Sequence, residues 1–273
     1  MAQTTRAKMT VPALLERKKA GPPLAMVTAY DATFAAIVDE SGVDIILVGD
    51  SVATVMQGAR TTLKVTMKQM EYHIQMVASA SPKALIIGDM PFGSYQTSKK
   101  DAVKNAVRLI KAGAEVVKLE GGLQSAKAIR AIAAADIPVM AHIGLTPQSY
   151  HRMGGNKVQG RAKGSSAGSR QRLLDDAQAV EHAGACAIVI EGVPSDLAKE
   201  ITEHSEIPTI GIGAGIHCDG QVLVLHDVLG LSSRTFSFTK AYADLRTASC
   251  AAVAQYVKEV QQRAWPDDEH SFK

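Results

Sequence analysis

Four short apolar runs in this chain each end by delivering a carboxylate. "DIILVGDS" at 44–51 supplies Asp50, "ALIIGDM" at 84–90 Asp89, "VVKLEGG" at 116–122 Glu120, and "AIVIEGV" at 187–193 Glu191. One such acid is commonly a helix cap or a loop residue; four in one pattern can do chemistry together. Carboxylates gathered in one cleft repel each other, and a cation relieves the repulsion. Hard oxygen donors with no cysteine and little histidine among them favour Mg²⁺ over zinc. Lys118 stands two residues before Glu120, on the same face of its strand. A buried lysine is costly unless paired or used, so it suits either a substrate carboxylate or a structural pair with Glu120. His142, at the end of "IPVMAH", could transfer a proton, orient a ligand or be structural.

The elements that must bring these side chains together follow from the same pattern. Eight β-rich runs, each closed by glycine or a polar residue, lie at 24–29, 44–49, 84–89, 115–120, 137–142, 187–192, 207–212 and 221–226. Helix-length stretches separate them. "DATFAAIVDESG", "SKKDAVKNAVRLIKAGA" and "SRQRLLDDAQAVEHAGA" space apolar residues by three and four, with glycine near the end. Alternation of strand and helix with near-continuous apolar strands predicts an α/β fold, a (β/α)8 TIM barrel. A doubly wound open sheet would announce itself by GxGxxG after the first strand, which "TAYDATF" does not supply. The expected organisation is one barrel domain over 1–273, with an N-terminal helix and a C-terminal helix plus polar tail. "MTVPALLERKKAG" gives the first helix, with Pro12 in its opening turn. "ADLRTASCAAVAQYVKEVQQ" reads as a strongly amphipathic last helix before the tail "WPDDEHSFK".

Parallel barrels assemble their active sites from the C-terminal ends of the strands. In chain order those ends offer Tyr30, Asp31, Asp50, Asp89, Glu120, His142 and Glu191. The segment 143–170 is long and rich in Gly and Ser, as lids are. Within it "GGNKVQGR" (154–161) has the composition of a phosphate loop or a lid, and "GIGAG" at 211–215 resembles a phosphate-cradling turn.

Composition sets the outer bounds. The chain has 273 residues, 46% of them apolar but only 4% aromatic, so its core must be aliphatic. A formal charge of +3 with no long basic run argues against a nucleic-acid partner. Cys186, Cys218 and Cys250 form no CxxC pair, which argues against a disulfide framework or a zinc site. "MAQTTRAKMT" has no apolar signal core and no segment is long enough to span a membrane, so a cytoplasmic protein is expected.

The strings "TAYDATFA", "LVGDS", "GDMPF", "VKLEGG", "AHIGLTPQS", "GGNKVQGR", "IEGVP", "IGIGAG", "DGQVLVLHDVLGL" and "EHSF" together resemble the ketopantoate hydroxymethyltransferase family. They keep that family's order from about residue 10 to the C-terminus. The resemblance implies a barrel of the phosphoenolpyruvate/pyruvate-like type and a large homo-oligomer, commonly a decamer. It implies transfer of the one-carbon unit of methylene-tetrahydrofolate to 3-methyl-2-oxobutanoate, forming ketopantoate for pantothenate and coenzyme A. By motif, Asp50, Asp89 and Glu120 would form the Mg²⁺ site, with Glu120 reaching it directly or through water. Ser51 and Lys118 would contact the oxo acid, near Asp50, Asp89 and His142, and Glu191 would be the proton acceptor. The chain departs from the family after "GDS", where Val52, Ala53 and Thr54 replace Leu-Gly-Met, and in "RTTLKVT", which carries Arg60 and Lys64. Two other readings use the same residues: a Mg²⁺-dependent 2-oxo-acid lyase or hydrolase, and an inactive scaffold barrel. Cysteine-dependent members of the lyase group are disfavoured because residues 121–185 contain no cysteine.

Overall fold

The computed structural model describes residues 6–161, 169–232 and 236–273. The chain divides into two compact units, Met1–Val224 and Leu225–Lys273. The first holds eight strands: β1 (Leu24–Thr28), β2 (Ile45–Val48), β3 (Leu85–Asp89), β4 (Val116–Glu120), β5 (Val139–Gly144), β6 (Ala187–Glu191), β7 (Thr209–Ile212) and β8 (Gly220–Leu223). Each pairs in parallel with the next and β8 returns to β1, which closes the barrel. All eight apolar runs are therefore strands, with ends displaced by a few residues.

Helix α1 (Val11–Lys19) precedes the barrel and α2 (Ala32–Glu40) follows β1. Next come α3 (Val52–Val55) and α4 (Met67–Ser79) after β2, α5 (Lys99–Ala112) after β3, and α6 (Ala126–Ala133) after β4. α7 (Tyr150–Met153) and α8 (Arg170–His182) follow β5, and α9 (Ser195–His204) follows β6. Local sequence starts and stops these helices. Thr66 and Gln69 form a reciprocal capping box on α4, while Ser98 caps α5 and Gly113 ends it in the left-handed conformation. Asp31, one of the strand-end candidates, proves to be the cap of α2, accepting from Phe34 N at 2.8 Å. The atypical Val52 and Ala53 are buried within α3, while Arg60 and Lys64 are exposed on either side of a 3-10 turn entry at Thr62.

The alternation of strand and helix lapses once, because residues 213–219 join β7 to β8 without a helix. An extended chain gains about 3.3–3.6 Å per residue, enough here to return beside a short strand. The "GIGAG" turn belongs to this connection. Of the segment 143–170, the structure shows a 3-10 turn at Pro147–Ser149, then α7 and an irregular stretch; residues 162–168 of the expected lid lie outside the described residues.

Alternate residues of the strands point into the barrel and change character from bottom to top. Leu85, Ile87, Val116, Met140, Ala187 and Val189 join Leu24, Met26, Ile45, Leu47, Ile210 and Val222 in one buried cluster. Two residues further along the same face, β3 presents Asp89, β4 Lys118 and then Glu120, β5 His142 and β6 Glu191. The apolar floor thus fixes which way the polar mouth faces, since a slip of one residue would turn every side chain outward.

Leu14 of α1 is completely buried against this floor, closing the bottom of the barrel. Leu14→Ala is expected to cost about 2–5 kcal/mol, the usual range for a fully buried leucine. Denaturant unfolding checks it, and a midpoint indistinguishable from wild type would mean that α1 does not seal the core.

The second unit contains α10 (Leu225–Val228) and α11 (Leu245–Gln261). The last helix forms as expected, but its amphipathic character does not appear as a buried face. None of its residues is buried, and Val253, Tyr256, Val257 and Val260, spaced by three and four along one stripe, are exposed. No helix among the described residues is long and apolar enough to cross a membrane.

Candidate active site

Strand register assembles the mouth. Asp89 lies opposite Lys118 and Glu120 opposite His142 in adjacent strands, and Gly144 lies opposite Glu191. Lys118 Nζ donates to Asp89 Oδ1 at 2.8 Å, so its partner is the acid across the ladder rather than Glu120 two residues on. Burial works against its charge, yet Asp89, Glu120 and Asp50 outweigh that and raise its pKa. Asp50 follows β2, its backbone N–H donating to Asp89 Oδ2 at 3.1 Å. Beside it, the Ser51 hydroxyl hydrogen-bonds the Tyr30 hydroxyl at 2.8 Å. Burial leaves Tyr30 neutral, pushing its phenol up to about 12.

Asp50, Asp89, Glu120, Lys118 and His142 are all 5% exposed or less. Burial pushes the Asp50 carboxyl well above the usual carboxylate range, and the charges of Asp89 and Glu120 push it further. Glu120 goes the other way. Burial would raise it, but His142, Lys118 and the Gln148 amide hold it below its ordinary value.

His142 stands between two acids, its Nδ1 3.6 Å from Glu120 Oε1 and its Nε2 3.2 Å from Glu191 Oε2. Neither contact has hydrogen-bond geometry, so both are ionic approaches. Burial opposes the imidazolium, but the two carboxylates win and hold its pKa up at about 9. The Glu191 side chain is 15% exposed, against 3% for Glu120, so it is the more accessible of the two. Its place depends on Gly144, at φ +92°. A Cβ there would stand 2.3 Å from the Glu191 carbonyl oxygen, so only glycine lets β5 approach β6 so closely.

All the sequence-derived candidates except the cap Asp31 therefore meet at one mouth. Two residues not singled out from the sequence join them. Gln148, in the 3-10 turn after β5, is buried and donates from its backbone N–H to Glu120 Oε2 at 2.9 Å. Its side-chain Nε2 donates to Asp50 Oδ2 and to the Met90 carbonyl, both at 3.0 Å. The Tyr95 hydroxyl accepts from Glu120 N at 3.1 Å and donates to Gln148 Oε1 at 2.7 Å. "TPQS" was visible as a motif, but no spacing rule marks an amide that acts across 98 residues.

The donor set suits a hard divalent cation. Three carboxylates are buried together around one lysine, and like charges so gathered are relieved by a cation. Among the described residues, no three of His, Cys, Asp and Glu are grouped closely enough to hold a metal ion by themselves. Mg²⁺ does not require that, since it binds through one or two carboxylates and keeps water or substrate oxygens for the rest.

A parallel barrel with a buried acidic cluster and a separate, more open carboxylate at its mouth defines an α/β-barrel enzyme. Solved structures place the barrel further. The chain is similar to phosphoenolpyruvate phosphomutase from Streptomyces platensis subsp. rosaceus, at TM-score 0.63 and 16% identity, covering 96% of this chain and 92% of that one. It is also similar to phosphonopyruvate hydrolase in complex with oxalate and Mg²⁺, at TM-score 0.62 and 14% identity, covering 96% and 91%. At such identities these likenesses show the fold alone, a closed parallel (β/α)8 barrel. Sequence carries the rest. Residues 8–268 match the model of the ketopantoate hydroxymethyltransferase family, and the chain belongs to that family. A relative from Geobacter metallireducens, 3-methyl-2-oxobutanoate hydroxymethyltransferase, is 55% identical over 267 residues, 97% of this chain and 98% of its own length. The chain is thus a transferase of the hydroxymethyltransferase kind.

Proposed function

We propose that this enzyme transfers the one-carbon unit of methylene-tetrahydrofolate to 3-methyl-2-oxobutanoate, forming ketopantoate on the route to pantothenate and coenzyme A. The observation that carries the reading is the division of four carboxylates. Asp50, Asp89 and Glu120 are buried among Lys118 and Gln148, whereas Glu191 stands across His142 and is more open. A base engaged by a metal is a poor base, so the separated acid suits proton abstraction.

Asp50, Asp89 and Glu120 would hold Mg²⁺. When bound, the ion would supply Lewis-acid polarisation of the 2-oxo acid. Lys118 has three donors and spends one on Asp89, so its ammonium can also take the substrate carboxylate. The Ser51 hydroxyl, aligned by Tyr30, offers a second polar contact. Glu191 takes the proton from the carbon next to the ketone. The electron pair of that C–H bond then forms the new C–C bond to the methylene carbon as one of its C–N bonds to the folate breaks, and water displaces the second nitrogen to supply the hydroxyl. The folate leaves as tetrahydrofolate, its two nitrogens taking the proton from Glu191 and the proton released by water. His142 holds Glu191 through Oε2, and a carboxylate has a second oxygen with which to accept the proton.

Two supports stand beside the geometry: the relatives' name states the substrate and the group transferred, and the phosphonopyruvate hydrolase relative in fold carries Mg²⁺ with a small dicarboxylate. Purified protein is expected to form ketopantoate, followed by mass spectrometry, only when Mg²⁺, the oxo acid and methylene-tetrahydrofolate are all present. An undiminished rate without the folate would overturn the reading. A cytoplasmic homodecamer is part of the same proposal. Exposed Val253, Tyr256, Val257 and Val260 on α11 are the kind of apolar surface that subunit contacts cover. Light scattering should give a mass near ten subunits, and a monomer would refute it.

A further inference from the structure

We propose that Gln148 is a positioning residue that sets the spacing of the acidic cluster for its cation. This rests on the Mg²⁺ reading above and adds to it a residue that touches no substrate. The three acids come from three separate strand ends, and Gln148 bonds to all three places. It reaches Asp50 through Nε2, the carbonyl of Met90, which follows Asp89, through the same Nε2, and Glu120 through its backbone N–H.

The chemistry of the partners fixes which way the amide faces. A carboxylate and a backbone carbonyl only accept, so the NH₂ end must point to Asp50 and Met90. Both amide hydrogens are then used. The oxygen end accepts from the Tyr95 hydroxyl at 2.7 Å and from Gln96 Nε2 at 3.3 Å, which fills its two lone pairs. A buried amide with all four bonds made is a rigid spacer, because any rotation would leave a polar group unpaired. Tyr95 extends the brace, since its oxygen also receives the N–H of Glu120. The acids are held close together by these bonds, and like charges in one cleft repel. Without the brace Asp50 would be free to move away from Glu120, and metal binding would have to draw it back.

The test uses the full-length protein stripped of metal and titrated with Mn²⁺, followed by electron paramagnetic resonance. Gln148→Met keeps bulk and burial but removes the amide. It is expected to weaken Mn²⁺ binding by about 10–100-fold, the usual cost of losing a group that orients a metal ligand, and to broaden the bound spectrum. A purely structural role would lower the melting temperature while leaving the affinity of the folded protein unchanged. Wild-type affinity and line shape in Gln148→Met would therefore overturn the inference. If that variant does not fold, Tyr95→Phe decides. It keeps Gln148 but removes its proton donor, so weaker Mn²⁺ binding supports the brace and unchanged binding overturns it. Asp50→Asn separates the two levels. If wild type binds Mn²⁺ and Asp50→Asn does not, yet Gln148→Met binds normally, only the positioning role falls. If wild type does not bind Mn²⁺, the metal reading falls and the positioning role with it.

Discussion

Glu191→Gln is expected to lower turnover at least about 100-fold, the lower range for loss of a general base, while leaving Mg²⁺ and oxo-acid binding near wild type. The asymmetry follows from position. Glu191 ends β6, across His142 from the buried cluster, and makes none of the hydrogen bonds that hold Asp50, Asp89 and Glu120. Glutamine fits the same space, so the strand end and the close approach at Gly144 survive, but an amide cannot take the proton. Steady-state kinetics beside a direct binding titration separate the two effects. Turnover within about threefold of wild type would remove Glu191 from the role, since the smallest loss expected of a general base is far greater.

Asp50→Asn and Asp89→Asn should each weaken Mg²⁺ binding at least about 100-fold, beyond the cost of losing an orienting partner, yet shift metal-free stability in opposite directions. Asp50 has no buried cation as its direct partner. Its ordinary contact is the Gln148 amide, which an asparagine oxygen can still accept. Its pKa is raised by folding, so ionisation at neutral pH, above the unfolded value, works against the fold. That cost disappears as pH falls and is removed by the neutral side chain, so Asp50→Asn should raise the melting temperature of the metal-free protein at pH 7. Burial raises the Asp89 carboxyl too, but Lys118, which donates to it directly, is the largest influence against that rise, so Asp89 is the charge partner of a buried ammonium. Neutralising it strands an ammonium, a loss of about 3–5 kcal/mol when one partner of a buried pair is removed. Thermal melts in chelator check the sign. Equal destabilisation by both substitutions would contradict the charge assignment.

Much of the barrel was legible because parallel strands covered on both sides must be continuous apolar runs. β3 and β4 show it best, since Leu85, Ile87 and Asp89, then Val116, Lys118 and Glu120, carry the inward face from floor to mouth in the letters themselves. The missing parts depend on register and on distant contacts. Spacing suggested Glu120 as the partner of Lys118, but the ladder brings Asp89 opposite it. Gln148 and Tyr95 act between loops far apart in sequence, and a neutral amide or phenol has no pattern that announces such a role. The β7–β8 connection reads as one more interval between strands, and only its length hints that no helix fits. Asp31 shows the reverse case, an acid in the right place that serves its own helix.

The most direct measurement is proton exchange at the carbon beside the ketone of 3-methyl-2-oxobutanoate, followed by NMR in D₂O without folate. Wild type with Mg²⁺ should replace that hydrogen by deuterium, while chelation or Glu191→Gln should reduce exchange to near the uncatalysed rate. Exchange that proceeds equally well in Glu191→Gln, or without Mg²⁺, would contradict a metal-assisted proton abstraction by Glu191 at this mouth.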